Sequence, residues 1–509
     1  MSENKKIAKN SIIMYGRLII STAIGLYSSR LVLLELGVDD YGLYAIVGGI
    51  VSMLNMMSTS MISTSNRFIA IEIGKKGGAN PNKVFNTLLM LHVGFSFLFL
   101  ILAEVGGVWY VKNYLNVNPA KINDALYVLH FSIFAAVLST LIMPFRGLIT
   151  VNEKFSFQAG VEISHSVLNL GAVLLLVLTT GNKLQTYAVY VFIVQLIINL
   201  IYFTYCGIKY RNIIKPKINL NYSDYKEVAN FFGWQMVYVG GSVGSSQGSA
   251  IILNLFFGTA LNAAFGLANK IQGFVFAFVK NLNQVAIPQI MKSYSGGDQN
   301  RTLTLVYSLS KYTFFIMLIP SVPIILSIDT ILLLWLKEVP TYTAWFVILR
   351  IFGGLVSSLE SGFDATIDAT GRIKKTKVIF TIIFISVLPV IYGLYLLGFP
   401  PYTITILFIL AEIVFILFQL SILSKLTEFN KSVYLTQTIM PVIFVVLLVI
   451  PQVSLRLLIN MGPISIIPIS LISLSLTMLT VYYVGLRSDE RNIIKQNLVR
   501  IPIIRKYLK

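Results

Sequence analysis

Residues 11–34, SIIMYGRLIISTAIGLYSSRLVLL, carry two charges, Arg17 and Arg30, in a run that is otherwise apolar or weakly polar. A helix crossing a bilayer needs about 20 such residues, so this stretch reads as a transmembrane span. The ten residues before it, MSENKKIAKN, are basic. The run lacks a small-residue cleavage site and is too long for the apolar core of a signal peptide, so it is expected to be a retained first span.

The composition extends that reading to the whole chain. Of 509 residues, 56% are hydrophobic and 12% charged, against roughly 45–50% and 25% in an average soluble protein. Polar surface is too scarce to cover several soluble domains. Further apolar runs place spans at 44–64, 85–108, 124–149, 159–180 and 184–206, then at 229–256, 260–283, 303–328, 342–369, 378–397, 402–424, 434–452 and 463–485. The expected fold class is an all-α integral membrane protein of about fourteen transmembrane helices. Strand barrels are excluded because the runs are continuous, not alternating.

Charge orients the spans. Lys plus Arg number 40 against 21 Asp plus Glu. With both termini cytoplasmic, 28 of the basic residues fall in cytoplasmic segments and 5 on the other side, as the positive-inside rule requires. The bias never reverses along the chain, which supports an even span count. The net charge of +19 is therefore mostly topological, and nucleic acid is not an expected partner. The tail 486–509, basic and aliphatic by turns, is expected to lie on the anionic inner leaflet.

The chain divides into a first half, 1–206 (spans one to six), a cytoplasmic linker, 207–228, a second half, 229–424 (spans seven to twelve), and two additional spans in 425–485. LELGVDDYGLYAIVGGI (34–50) and NLFFGTALNAAFGLANKI (254–271) share an apolar run, a glycine (Gly37, Gly258), a polar link and a Gly-Leu entry to the next helix (Gly42, Gly266). RGLITVNEKFSF (146–157) and DATIDATGRIKKTK (364–377) end the fourth and tenth spans. Two pseudo-symmetric six-helix lobes of equal topology, plus two extra C-terminal helices, form a repeat arrangement typical of secondary transporters.

Ionisable residues at membrane depth are costly and face a cavity or a partner. Seven cations qualify: Arg17, Arg30, Arg146, Lys270, Lys280, Lys311 and Arg350. Arg17, Arg146 and Lys280 lie near enough to the cytoplasmic ends to snorkel, and Arg30 near the outer end. Lys270 is the deepest. Polar residues accompany them: Asn55, Ser58 and Asn66 on span two, and Asn262, Asn269 and Gln272 on span eight. Such stripes serve interhelical hydrogen bonding or line a wet cavity. Gly240, Gly244 and Gly248 on span seven suit close helix packing. Glu360, Asp364 and Asp368 at four-residue spacing would share one helical face. Glu360 and Asp364, with Glu162 on span five, are candidates to carry a proton or sodium ion, or to pair with a cation such as Arg350.

Enzyme signatures are absent: the chain has no zinc-protease motif, phosphate loop or nucleophile elbow, and one cysteine, Cys206. The protein is expected not to be an enzyme, to hold no metal, and to need no cofactor beyond a coupling ion.

Residues 7–50, IAKNSIIMYGRLIISTAIGLYSSRLVLLELGVDDYGLYAIVGGI, with FRGLITVNEKFSF (145–157) and IDATGRIKK (367–375), resemble the bacterial polysaccharide (O-antigen-type) flippases of the multidrug/oligosaccharidyl-lipid/polysaccharide exporter superfamily. The resemblance implies a multi-pass protein of the bacterial inner membrane. It implies movement of an undecaprenyl-diphosphate-linked oligosaccharide from the inner to the outer leaflet by alternating access. Arg17, Arg30, Lys270, Arg146 and Lys280 would meet the diphosphate, and the Asn, Ser and Gln stripes the sugar hydroxyls. Membrane lipids and other polysaccharide-assembly membrane proteins are the further partners implied. A cation-coupled drug exporter of the same superfamily and a membrane-embedded glycan polymerase or ligase are the alternatives. The exporter would rely on Glu360 and Asp364 instead of the cations, and the polymerase would need a larger outer loop.

Overall fold

Hydrocarbon offers backbone N–H and C=O groups no water to bond, so a chain this apolar folds into helices that satisfy them internally. The computed structural model describes residues 3–492 except 76, 114, 116–118, 218, 220, 337–338 and 455–464, and leaves aside the side chains at 3–5, 8, 38–39, 45–46, 48–57, 59 and 259. The described residues contain helices and no strand. In chain order these are α1 (Glu3–Gly74), α2 (Pro81–Asn113), α3 (Ile122–Leu141), α4 (Met143–Val151), α5 (Phe155–Leu176), α6 (Lys183–Lys209), α7 (Arg211–Ile214) and α8 (Tyr222–Ser295). There follow α9 (Gln299–Leu326), α10 (Ile328–Trp335), α11 (Thr343–Ser358), α12 (Phe363–Thr370), α13 (Lys374–Leu396), α14 (Thr403–Leu426), α15 (Lys431–Ser454) and α16 (Ile466–Gly485). Among the described residues, ten helices are long and apolar enough to cross a membrane, or eleven when α11 and α12 count as one bent span. The helical stretches 38–74, 222–257 and 259–295 occupy the places of the other three expected spans. Most of the basic tail, from 493 onward, lies outside the described residues.

The repeat read from sequence has a backbone counterpart. Gly37 (φ 77°, ψ 172°) breaks α1, and Gly258 (φ 77°, ψ −173°) breaks α8. That combination is essentially reserved for glycine, so each glycine lets one long helix turn into the next without a loop. The fourth and tenth spans are interrupted at matching places. α3 gives way to α4 at Ile142, with Pro144 in the first turn of α4. α11 and α12 meet at a 44° bend whose link holds Gly362 (φ 89°). A left-handed residue then follows each short helix: Glu153 (φ 57°) and Gly371 (φ 76°).

The chain separates into two compact units. The first comprises 1–240, 284–298 and 371–378; the second comprises 241–283, 299–370 and 379–509. In the first unit, Phe99, Leu129 and Ile133 sit in one apolar core, while Met14, Phe155, Ala159 and Val285 form another. Ionic contacts close one end of this unit. Glu153 joins Lys6 (2.8 Å) to Lys292 (3.2 Å). Arg67 lies 4.5 Å from the ring centroids of both Phe68 and Phe231. Asn82 and Asn86 donate to Lys215 O (2.8 and 3.0 Å), fastening the linker to α2.

The second unit packs Phe265, Val275, Phe314, Met317, Phe346 and Ile351 in its core. Lys311 is 2% exposed, and its Nζ donates to both Glu490 carboxylate oxygens (2.6 and 2.8 Å). The Tyr312 hydroxyl donates to the same carboxylate (2.8 Å). Glu490 lies just beyond α16, so the two additional spans are pinned to α9 by a buried ion pair.

Candidate functional site

A cavity of about 530 Å³ lies within the second unit. α8 supplies two of its walls because Gly258 turns it back on itself: Ser242, Ser245 and Ser246 come before the break, and Asn269, Gln272 and Lys280 after it. Arg350 comes from α11, Phe380 and Phe384 from α13, and Thr405, Phe408 and Glu412 from α14. Glycines set the spacing. A Cβ at Gly241 would stand 2.6 Å from Thr381 Oγ1, one at Gly244 3.0 Å from Ile385 Cδ1, and one at Gly248 2.5 Å from Leu388 Cδ1. α8 therefore meets α13 backbone-first, through Gly241 where the sequence suggested Gly240, whose Cβ would meet nothing within 4 Å. Gly354 likewise leaves room for Gln272, whose Nε2 is 3.1 Å from where a Cβ would sit.

The cations that line this cavity have no ion-pair partner among the described residues. The Arg350 guanidinium carbon lies 4.6 Å from the centroid of Phe265, a cation–π contact that fixes the group without neutralising it. Its buried Nε has no hydrogen-bond partner among the described residues. Glu412 faces the same space, and neither residue forms an ion pair among the described residues. Lys280, exposed at the rim, lies 5.9 Å from the Phe276 centroid.

The first unit handles similar groups differently. Arg17 of α1 pairs with Glu162 of α5 at 2.5 Å, and Gln158 Nε2 donates to the same carboxylate at 3.0 Å. Arg146 of α4 lies 5.0 Å from the Tyr202 centroid. His165 Nε2 and Asn169 Nδ2 are 3.2 Å apart, extending the polar run along α5.

Set against the sequence reading, the candidates scatter. Asn269, Gln272 and Lys280 line the cavity, whereas Asn262 is half-buried elsewhere. Arg30 and Lys270 are exposed and without an ion pair among the described residues. Asn66 packs against Gly147, with Oδ1 3.2 Å from where a Cβ would be. Ser58 is half-buried on α1, and the Asn55 side chain lies outside the described residues. The three carboxylates of span ten do not share a face. Glu360 stands in the break between α11 and α12, where the chain leaves the helix, so the four-residue spacing loses its meaning. Asp364, on α12, accepts from Gln419 Nε2 at 3.1 Å.

Glu412 escaped the sequence reading, as did Gln419 and the pairing of Lys311. Glu412 had a signal: it is the sole charge in the run TITILFILAEIVFILFQL (403–420). The depth argument applied to the cations selects it equally well.

No protein-family model matches the sequence, and no curated protein matches it. Solved structures match it in fold. A MOP superfamily transporter from Pyrococcus furiosus, described by the reverse polarity of its binding pocket, superposes with a TM-score of 0.68 at 14% identity, over 83% of this chain and 96% of that one. A MATE transporter solved with Rb+ gives 0.66 at 15% identity, over 84% and 96%. An outward-facing multidrug resistance MATE family transporter of the MOP superfamily gives 0.68 at 14%. The chain therefore has the MATE-like all-helical fold.

Proposed function

We propose that the protein is a transporter, not an enzyme, that moves an anionic lipid-linked glycan across the bacterial inner membrane. Its substrate on this reading is an undecaprenyl-diphosphate-linked oligosaccharide, carried from the inner to the outer leaflet by alternating access, with both termini cytoplasmic. One observation carries the proposal. Of seven basic residues at membrane depth, only Arg17 and Lys311 are ion-paired among the described residues. Arg30, Lys270, Lys280 and Arg350 stand without an ion pair among the described residues, at a depth where an unpaired charge is costly. A passing diphosphate and acidic groups on the glycan would offset that cost, because guanidinium and ammonium donors replace the water around an anion. The fold supports the reading, since its solved neighbours are called transporters, and one is described by a pocket of reverse polarity.

A second reading has its own support: Glu412 in the cavity and Asp364 on α12 suit a coupling cation, a proton or sodium, in an exporter of small molecules. The test is accumulation of lipid-linked sugar on the inner leaflet in cells whose only copy of the protein carries Lys270→Ala, Arg30→Ala or Glu412→Gln. The flippase reading expects accumulation with both cation variants. Accumulation with none of the three overturns it, and a defect confined to Glu412→Gln favours the exporter.

A further inference from the structure

We infer that a cleft between α2 and the first turns of α8 binds the headgroup of a membrane phospholipid that carries both a phosphate and a primary ammonium, the chemistry of phosphatidylethanolamine. The inference is independent of what the protein transports and needs only that its helices lie in a bilayer.

Position comes first. The cleft, in the first unit, has a volume of about 760 Å³, within the roughly 300–1,000 Å³ of small-ligand sites. Leu91 of α2 lines one side, and Tyr222, Tyr225, Lys226, Glu227 and Asn230 of α8 line the other. Lys83 and Phe95 flank Leu91 along α2, and each is tied to α8. Lys83 pairs with Asp224 at 2.7 Å, and the Phe95 ring meets Phe232 edge-on with centroids 5.5 Å apart. The two walls are therefore held at a fixed separation. The apolar run of α2 begins near residue 85 and that of α8 near 229, so the cleft straddles the level where hydrocarbon gives way to headgroups. Tyrosines concentrate at that level. Met90, Val93 and Phe97, exposed on α2 at helical spacing, continue from Leu91 as an apolar face for acyl chains.

Charge then selects the headgroup. Lys226 and Glu227 are exposed, and neither forms an ion pair among the described residues. As sequence neighbours on a helix they point about 100° apart and do not face each other. The cleft thus offers a cation and an anion side by side. A phosphate answers Lys226, and an ammonium on the same headgroup answers Glu227. A glycerol headgroup would bring only its negative charge, leaving Glu227 unanswered. A choline headgroup has the right charges, but its quaternary nitrogen has no N–H to give a carboxylate, whereas a primary ammonium has three. Asn230 supports the same orientation. Its Oδ1 accepts from Trp234 Nε1 at 3.1 Å, so its Nδ2 donors are what it presents to a phosphate oxygen.

The experiment uses the full-length protein released from detergent in native mass spectrometry, which resolves the first lipid bound. Phosphatidylethanolamine, phosphatidylcholine and phosphatidylglycerol with identical acyl chains are compared. The ethanolamine lipid is expected to bind about fivefold more tightly than the choline lipid, the upper end for an ion pair in contact with water. Glu227→Gln should bring it down to the choline lipid's level while leaving choline-lipid binding as it was, which also shows that the variant is folded. Ala229→Trp, which fills the cleft without touching a charge, should remove the preference with Glu227 intact. Equal binding of the ethanolamine and choline lipids, a preference for phosphatidylglycerol, or a preference that survives either substitution would each overturn the inference.

Discussion

Each unit sets an arginine and a glutamate among its helices, and the two treat them in opposite ways. In the first, Arg17 and Glu162 meet at 2.5 Å, and Gln158 completes the carboxylate. In the second, Arg350 and Glu412 share a cavity without pairing among the described residues. A closed pair holds helices together, and its charges are spent on each other. An open pair keeps its field for something that arrives. The contrast separates scaffold from site more sharply than residue type can, because the side chains are the same.

The strongest way to sharpen the contrast lies within the second unit, which also contains a closed pair. Glu490→Ala strips the counter-charge from Lys311, which is 2% exposed. Breaking such a pair costs about 3–5 kcal/mol, seen as a lowered denaturation midpoint of the purified protein. Replacing both partners, Lys311→Met with Glu490→Leu, should restore most of the loss. Next comes the direct comparison. Glu162→Gln should cost about 2 kcal/mol, less than a fully buried pair because both side chains retain some exposure. Glu412→Gln should change stability by less than about 1 kcal/mol, since no pair is broken. Equal losses from Glu162→Gln and Glu412→Gln would erase the distinction between closed and open.

The smallest effect tests the ionic end of the first unit. Burial pushes the Glu153 carboxyl upward, but Lys6 and Lys292 outweigh it and hold the group below its ordinary value of 4.5. A carboxyl depressed on folding stabilises the protein fully above its unfolded value, and the contribution fades as pH falls through the folded one. Stability should therefore lose this contribution only below about pH 4.5. Glu153→Gln, compared by thermal unfolding at pH 7 and pH 4, should flatten that part of the profile.

Much of the fold was legible because hydrocarbon imposes long apolar runs, and the glycines at 37 and 258 stood out by recurring in matched surroundings. The break in span four had Pro144 to mark it. The one in span ten had only Ser361-Gly362, and reading through it put Glu360 on the face that Asp364 and Asp368 share on α12. The site was less legible for a different reason. Arg17 finds Glu162 across 145 positions of sequence, and the geometry joining them is set by packing, which spacing along one helix does not encode. Lys270 looked decisive by depth, yet Lys280 and Arg350 are the cations that the helices bring to the cavity.

The contact between Lys311 and Glu490 also governs where the polypeptide can be shortened. Ending it after α14 would look harmless on a map of repeats, because both six-span copies would be intact. It would leave an ammonium group stranded inside α9's packing with nothing to answer it. The final pair of spans is thus a plug for the second copy, and a minimal version of this protein must keep residues as far as 490.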